Sequence, residues 1–325
     1  MCGICGELRF DGAPADMTAV AAMTERLRKR GPDSGDTYAD GPLGMGHRRL
    51  AIIDLSERSN QPMVDHELGL AVVFNGAIYN YRELRRELRS RGYRFFSDGD
   101  TEVILKAYRE WGSDCPRHLD GMFAFAIWDA RQRSLFLARD RFGIKPLYYA
   151  PQTGGLRFAS NTQALLAGGG IVRDLDAEAL HFQFTLHAVV PAPRTILKGV
   201  RKLPPAHSLT IGPDGRQNLE RYWHLEAQRP TEPLSDQEWV DAIHAALRQA
   251  VAKRNDVADV PVGVLLSGGL DSSLLVALLA EYGARDIRTF SVGFEDQPEE
   301  KGSEFEYSDQ VVKRYGTRHH KFLVP

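Results

Sequence analysis

The chain has 325 residues, enough at roughly 150 residues per domain for two domains. Hydrophobic residues make up 43% and charged residues 26%, an ordinary globular composition that argues against extensive disorder. With 41 Lys and Arg against 43 Asp and Glu, the net charge of −2 gives no support to a chain-wide nucleic-acid or polybasic membrane role.

The first residues, MCGICGELRFDG, lack the basic and apolar regions of a secretory signal, and no apolar run approaches the roughly 18–20 residues of a membrane helix. Three cysteines form no disulfide framework, so a reducing, cytoplasmic setting is expected. Met17, Val20, Met23 and Leu27 recur at helical spacing, and Gly31-Pro32 closes that helix. Residues 43–54 read as a strand with apolar residues on both faces around His47-Arg48-Arg49. Residues 70–74 form another, leading into Asn75-Gly76, a pair typical of two-residue hairpin turns. Asn80-x-x-Glu83 resembles a capping box and opens a helix running to Gly92. A second helix follows Asp100, which suits an N-cap. Strands are expected at 123–128, 135–138 and 147–150. Such doubly buried strands with helices between them predict stacked sheets covered by helical layers.

Gln228, Pro230, Thr231, Pro233 and Ser235 mark a polar linker over 223–239, between a first domain at 1–222 and a second at 240–325. The second domain reads helix, strand, glycine-rich turn, helix, strand, with strands at 260–266, 288–292 and 321–324. It is short for a fully covered parallel sheet, so an incomplete α/β domain is expected. Its open edge could pair with a second copy, which makes a homodimer one expectation.

Cys2 follows the initiator methionine. Removal of Met1 would leave a thiol and a free α-amine on one residue, and an amine of pKa about 7.7–8.0 is a usable base at neutral pH. The plain alternative is a small buried cysteine near a frayed terminus. Cys2-Gly3-Ile4-Cys5 has no second ligand pair for zinc and does not open a helix as a thioredoxin-type site does, so Cys5 is assigned to packing within the first strand.

The opening MCGICG, Arg30-Gly31-Pro32-Asp33, His47-Arg48-Arg49-Leu50, Asn75-Gly76, Asp100-Thr101-Glu102 and the stretch from Arg139-Asp140-Arg141 to Lys145-Pro146-Leu147-Tyr148-Tyr149 together resemble the class II glutamine amidotransferases. The resemblance implies an α+β fold, the αββα N-terminal-nucleophile sandwich. It implies that Cys2 attacks the side-chain amide of glutamine, that Arg49 pairs with the α-carboxylate, and that Asp100 holds the α-ammonium. The Asn75 side chain and the Gly76 N–H would form the oxyanion hole, and the backbone near Ile52 would complete the glutamine pocket. The blander readings are a hairpin turn at Asn75-Gly76, a helix cap at Asp100 and a solvated strand face for Arg49. The family often carries an acidic residue after Asn-Gly. Ala77 stands there in this chain, so one polar contact to the substrate's amino end is absent or supplied elsewhere.

The strand at 260–266 is followed by Ser267-Gly268-Gly269-Leu270-Asp271-Ser272-Ser273 and a helix. Glycines admit an anion close to the backbone, and the helix N-terminus adds N–H donors. The G-K-[ST] ending of a Walker loop is missing. The loop resembles the pyrophosphate-binding PP-loop of enzymes that cleave ATP between its α and β phosphates (adenine nucleotide alpha hydrolase-like). That resemblance implies ATP and pyrophosphate contacts at Leu265, Ser267, Gly268, Gly269, Asp271, Ser272 and Val292, with Asp271 on Mg²⁺. The alternative is an ordinary glycine turn.

The two motif sets together resemble the glutamine-hydrolysing asparagine synthetase family, in which ammonia from glutamine amidates a carboxylate acceptor activated by ATP as an acyl-adenylate. Within it, the opening residues, Ala77 and the run from Leu186 to Arg194 most resemble N-acetylglutaminylglutamine amidotransferases. Family members extend well beyond Pro325, so the expectation is measurable glutamine hydrolysis with little or no amide synthesis. Competing readings are a glutaminase-only fragment and a non-catalytic glutamine- or nucleotide-sensing module. The arginines from Arg82 to Arg94 are interrupted by Glu83 and Glu87 and read as a solvated helix face. His319-His320 and Cys115 carry no assigned chemistry.

Overall fold

The computed structural model describes residues 1–295 and 303–324, and the chain divides into two compact units, Met1–Glu226 and Ala227–Pro325. In chain order the first unit begins with β1 (Gly3–Arg9), α1 (Met17–Arg26), β2 (Ser34–Asp40), β3 (Leu43–Arg49), β4 (Met63–Asp65) and β5 (Leu70–Ile78). Next come α2 (Tyr81–Ser90), α3 (Asp100–Trp111), α4 (Cys115–His118), β6 (Gly121–Asp129) and β7 (Ser134–Arg139). It ends with β8 (Tyr148–Gln152), β9 (Gly155–Ala159), α5 (Thr162–Ala167), α6 (Ala177–Thr185), β10 (Arg201–Lys202), β11 (His207–Ile211) and β12 (Gln217–Arg221).

These strands form two six-stranded antiparallel sheets, ordered β10-β8-β9-β1-β3-β2 and β12-β11-β7-β6-β5-β4. The side-chain period of two explains how one strand serves two layers. Ile4 and Leu8 of β1 join Met45, Val73, Ala126 and Leu137 between the sheets, whereas Cys5 points outward against Val20 and Met23 of α1, Leu27 just after it, and Ala164 and Leu165 of α5. Helices α2 and α3 pack together beside the second sheet, with α3 on β5. The result is the pair of stacked, helix-covered sheets that the doubly buried strands predict and the αββα sandwich that the family resemblance implies.

Several local expectations are corrected. The strand expected over 43–54 ends at Arg49, because the Arg49 side chain gathers the carbonyls of Ile53, Asp54 and Ser56 and bends the following loop back. Asn75-Gly76 is not a turn: β5 runs through it, with Asn75 opposite Ala124 and Gly76 opposite Phe123. The Asn80 side chain does not cap α2; it bonds the His118 carbonyl and the Asp120 N–H instead. The N-cap of α3 is Gly99, and Asp100 is its first residue. Arg85 leaves the solvated arginine face: it is buried, stacks over Phe95, and donates to the Ser97 and Gly99 carbonyls.

The second unit contains α7 (Asp236–Asp256), β13 (Gly263–Leu265), α8 (Leu270–Glu281), β14 (Arg288–Phe294), α9 (Phe305–Tyr315) and β15 (Arg318–Val324). Helix α7 starts inside the expected linker, where Ser235 and Glu238 form a full capping box. Parallel β13-β14-β15 carry a small core of Val264, Leu266, Val276, Leu279 and Ile287 with the helices. Val292, Phe294, Phe322 and Leu323 of this sheet are exposed. Among the described residues, no helix is long and apolar enough to cross a membrane.

The buried pair Glu7 and Arg157 ties β1 to β9, with Arg157 Nε 2.9 Å from Glu7 Oε1. Removing one partner of a buried pair strands the other charge at a cost of about 3–5 kcal/mol. Glu7→Ala is expected to destabilise the first unit by about 3 kcal/mol. Glu7→Gln, which keeps an acceptor, should lose less. The urea midpoint of the two variants tests this order.

Candidate active site

Cys2 precedes β1, and Gly3 and Ile4 pair with Arg48 and His47 of β3. That pairing sets the thiol beside the chain leaving β3: Leu50 N–H lies 3.4 Å from Cys2 Sγ, and the Leu50 carbonyl lies 3.6 Å from it. Arg30 Nε donates to the Cys2 carbonyl at 3.0 Å. Asp33 then spans to β3, its N–H on the Arg49 carbonyl and its carboxylate on Ala51 N–H. Gly31 is required here, since a Cβ would sit 2.3 Å from the Arg48 backbone. The segment 30–33, quoted above only as a motif, is therefore the collar that fixes Cys2.

Burial pushes the Cys2 thiol above its ordinary pKa, partly opposed by the Leu50 hydrogen bond. It pushes the terminal α-amine of Met1 down, and Arg30 and Lys145 add to that against the Cys2 charge. Lys145 reaches this corner because Asp140, almost fully buried, gathers the N–H groups of Phe123, Phe142, Ile144 and Lys145. Burial and the neighbouring Arg30 also lower the Lys145 ammonium.

Opposite lies the outer edge of β5. Strand β4 is only three residues long and pairs with residues 70–72, so among the described residues the edge from Phe74 to Ile78 has no strand beside it. In an antiparallel ladder alternate residues turn their backbone groups to the same side. Phe74 N–H bonds Gln61 Oε1 at 2.6 Å, and Ile78 N–H bonds Asp100 Oδ2 at 3.0 Å. The Gly76 N–H lies between them on this same edge. A Cβ at Gly76 would approach the Met122 carbonyl to 2.2 Å and the Phe74 ring to 2.7 Å, so only glycine fits. Asn75 is 1% exposed, and among the described residues neither atom of its amide has a hydrogen-bond partner. Native structures rarely leave a buried amide so, and an exception asks for a function.

Asp100 is buried, and burial raises its carboxyl to about 7 against opposing bonds from Ile78 and the start of α3 and the charge of Arg49. Its turn is held from three sides. Arg85 bonds the Ser97 and Gly99 carbonyls, Asp54 accepts from Asp98 N–H, and Glu102 accepts from Phe96 and Ser97 N–H. Asp54 itself works against its partial burial: the Ser56 and Ser59 hydroxyls and the Asp98 N–H keep its carboxyl well below the usual range. Arg49 is buried, not solvated, and its terminal nitrogens meet the carbonyls of Ile53, Asp54 and Ser56 and the Asn60 side chain. The charges of Asp100 and Arg49 act on the Cys2 thiol, and that of Arg49 acts on Asp100. Ile52 lies on the loop that Arg49 folds back and is 37% exposed.

Residues 1–223 match the family described as glutamine amidotransferase domain. The chain belongs to the glutamine amidotransferase family. Residues 242–325 match the family described as asparagine synthase. The chain is 37% identical to asparagine synthetase [glutamine-hydrolyzing] 3 of Bacillus subtilis, covering 100% of this chain and 54% of that protein. It is 34% identical to putative asparagine synthetase [glutamine-hydrolyzing] 2 of Methanocaldococcus jannaschii, over 99% of this chain and 64% of that one. It thus spans about half to two thirds of the length of these relatives. A solved glutamine phosphoribosylpyrophosphate amidotransferase from B. subtilis shares the fold, with a TM-score of 0.52 at 17% identity, covering 98% of this chain and 65% of that one.

The second unit of this amidotransferase chain carries a cleft of about 440 Å³ at the carboxyl ends of its parallel strands, the usual place for a ligand in an open α/β sheet. Leu265, Ser267 and Val292 line it; Gly268, Gly269, Asp271 and Ser272 lie on the adjoining loop and first turn of α8. Helix α8 starts with no side-chain cap, and Ser267 and Ser272 hydroxyls lie 3.0 Å apart. Gly268, at φ +87°, would drive a Cβ to 2.5 Å from Ser308 N at the start of α9. The buried Ser273 hydroxyl has no partner among the described residues. This set fits a phosphate. Phe290, Phe294, Glu304 and Phe305 also line the cleft and were not anticipated; the rule that ligands sit at strand ends would have found the first two. Among the described residues, no group of three or more His, Cys, Asp or Glu is placed to hold a metal ion.

Because Asp100 keeps its proton in the folded state up to about 7 while an unfolded carboxyl ionises near 3.9, its burial removes stability progressively as pH rises from about 4 to 7. Asp100→Asn keeps an acceptor for Ile78 N–H. It is expected to match the parent near pH 4 and to exceed it by roughly 2–4 kcal/mol above pH 7. Thermal melts across that range check the trend; a difference independent of pH would refute it.

Proposed function

We propose that this chain hydrolyses glutamine at Cys2 and, in the whole protein, supplies the ammonia to an ATP-dependent ligase of the asparagine synthetase type. The observation that carries the reading is the buried Asn75 amide, without a partner among the described residues, beside the Gly76 N–H on the open edge of β5. A sensing module gains nothing from such a donor pair, whereas an acyl-transfer site needs donors aimed where charge develops.

In this mechanism the α-amine of Cys2, freed by removal of Met1, takes the thiol proton as sulfur attacks the side-chain amide carbon of glutamine. Asn75 and Gly76 hold the oxyanion. The C–N bond breaks as that proton passes to the departing ammonia, and water then hydrolyses the thioester to glutamate. Asp100 meets the α-ammonium. Arg49 meets the α-carboxylate, which competes with the Ile53 and Asp54 carbonyls for the guanidinium, and the Ile52 backbone closes the pocket. With Ala77 buried in β5, no acidic side chain at that position assists Asp100.

In the second unit, the amides and hydroxyls of Ser267, Gly268, Gly269 and Ser272 cradle the β and γ phosphates of ATP, with Leu265 and Val292 toward the adenosine. Asp271 would offer its carboxylate to Mg²⁺, which neutralises phosphate charge. The acceptor carboxylate displaces pyrophosphate at the α phosphate, and ammonia then displaces AMP from the acyl carbon. The relatives' names point to aspartate as acceptor, and the resemblance of the Leu186–Arg194 run points to N-acetylglutaminylglutamine. A cytoplasmic, homodimeric ligase completes the proposal.

Glutamate release from glutamine should be measurable with the purified chain and fall at least about a thousandfold in Cys2→Ala. Amide synthesis with ATP, Mg²⁺ and ammonia should be slight or absent from this length of chain. Release that survives Cys2→Ala, or an N-terminus that keeps Met1 in mass spectra of active protein, would defeat the assignment.

A further inference from the structure

Phe74 sits immediately before the two proposed oxyanion donors, on an edge with no neighbouring strand, and side chains serve both of its backbone groups. Gln61 accepts its N–H at 2.6 Å, and His47 Nε2 lies 3.1 Å from its carbonyl. Gln61 is in turn held by Thr101 of α3, through Nε2 at 3.2 Å from the hydroxyl. His47 belongs to the other sheet, where it pairs with Ile4, two residues after Cys2. One imidazole therefore links the strand of the nucleophile to the strand of the donors, across the sandwich.

We propose that His47 and Gln61 are positioning residues for the oxyanion hole, a reading that rests on the glutaminase function above. The Phe74 carbonyl shares a rigid peptide plane with the Asn75 N–H. Fixing that plane fixes the direction in which the Asn75 side chain leaves β5 and, one residue on, the aim of the Gly76 N–H. Packing alone does not account for the choice of histidine. His47 is 0% exposed, and its Nδ1 has no partner among the described residues. An apolar ring of the same size would fill the space and remove the unpaired Nδ1, but it would leave the Phe74 carbonyl without its donor. Burial keeps the imidazole neutral, at about 3, so one nitrogen carries the proton and the carbonyl of Phe74 selects Nε2.

The test compares wild type with His47→Phe, which removes the donor, His47→Gln, whose amide nitrogen can replace Nε2, and Gln61→Leu, which frees the other side of Phe74. Glutamate release gives kcat and KM. Inhibition by glutamate γ-semialdehyde reports the tetrahedral state, because the Cys2 thiol adds across its carbonyl. Inhibition by glutamate reports the binding pocket alone. His47→Phe and Gln61→Leu should lower kcat roughly 10- to 100-fold, with KM within about threefold. Aldehyde affinity should fall with kcat/KM, glutamate affinity should hold, and His47→Gln should recover most of the loss. An unchanged kcat, or equal losses of aldehyde and glutamate affinity, would overturn the proposal. If His47→Phe does not fold, Gln61→Leu decides by the same criteria. Wild-type chain that neither releases glutamate nor captures the aldehyde at Cys2 would refute the glutaminase reading itself, and the positioning role with it.

Discussion

The open edge of β5 is the constraint on which the first unit depends. A strand without a neighbour exposes a row of N–H and carbonyl groups, each of which needs a partner once it is buried. Here β4 stops after three residues, and the edge beyond it is served one group at a time by Gln61, His47 and Asp100. These partners arrive from a loop, from the opposite sheet and from the start of a helix. Three separate parts of the chain are thereby drawn to one line. The line ends at Asp100, and its middle holds the donors that no neighbouring strand can block.

The same logic explains the investment around Arg49 and Asp54. A guanidinium with rigid, forked donors can organise several carbonyls at once. Arg49 folds the chain after β3 back on itself, and Asp54 at its tip bonds the turn that leads into α3. Loop and helix start become a single hydrogen-bonded body. Burial of Arg85 belongs to this body as well, since its donors hold the Ser97 and Gly99 carbonyls from beneath.

Sequence alone made the layers legible, because the doubly buried runs at 70–74, 123–128 and 135–138 and the spacing of Met17 to Leu27 are local signals with local meaning. The site residues were legible as a set only through the resemblance of motifs spread over the chain. Asn75-Gly76 shows why. Locally the pair favours a turn, yet its conformation is set by Ala124 and Phe123, nearly fifty positions away. Asn80 misleads for the same reason, its amide being claimed by His118 and Asp120. Helical spacing sets Arg85 on the stripe of Tyr81, Leu84 and Leu88, apart from the exposed arginines around it, and the turn at 97–99 gives it the carbonyls that make it a buried strut.

Sites of this kind cost stability, and the surroundings must offset it. An unpaired Asn75 amide and a buried Asp100 both oppose folding at neutral pH. The offset comes from buried groups that are fully served nearby. Asp140 is held by four backbone donors, and Lys106 lies between Asp65 and Glu102. Glu102 also accepts the amides of Phe96 and Ser97, just before the turn that presents Asp100. Satisfied charges therefore adjoin the unpartnered amide of Asn75 and the desolvated carboxyl of Asp100, which accepts from Ile78 N–H. Buried networks that are complete rigidify their surroundings, whereas incomplete ones relax to find partners. With complete networks behind the site, the Asn75 amide has no partner among the described residues, so in the proposed reading the oxyanion completes it from outside the protein.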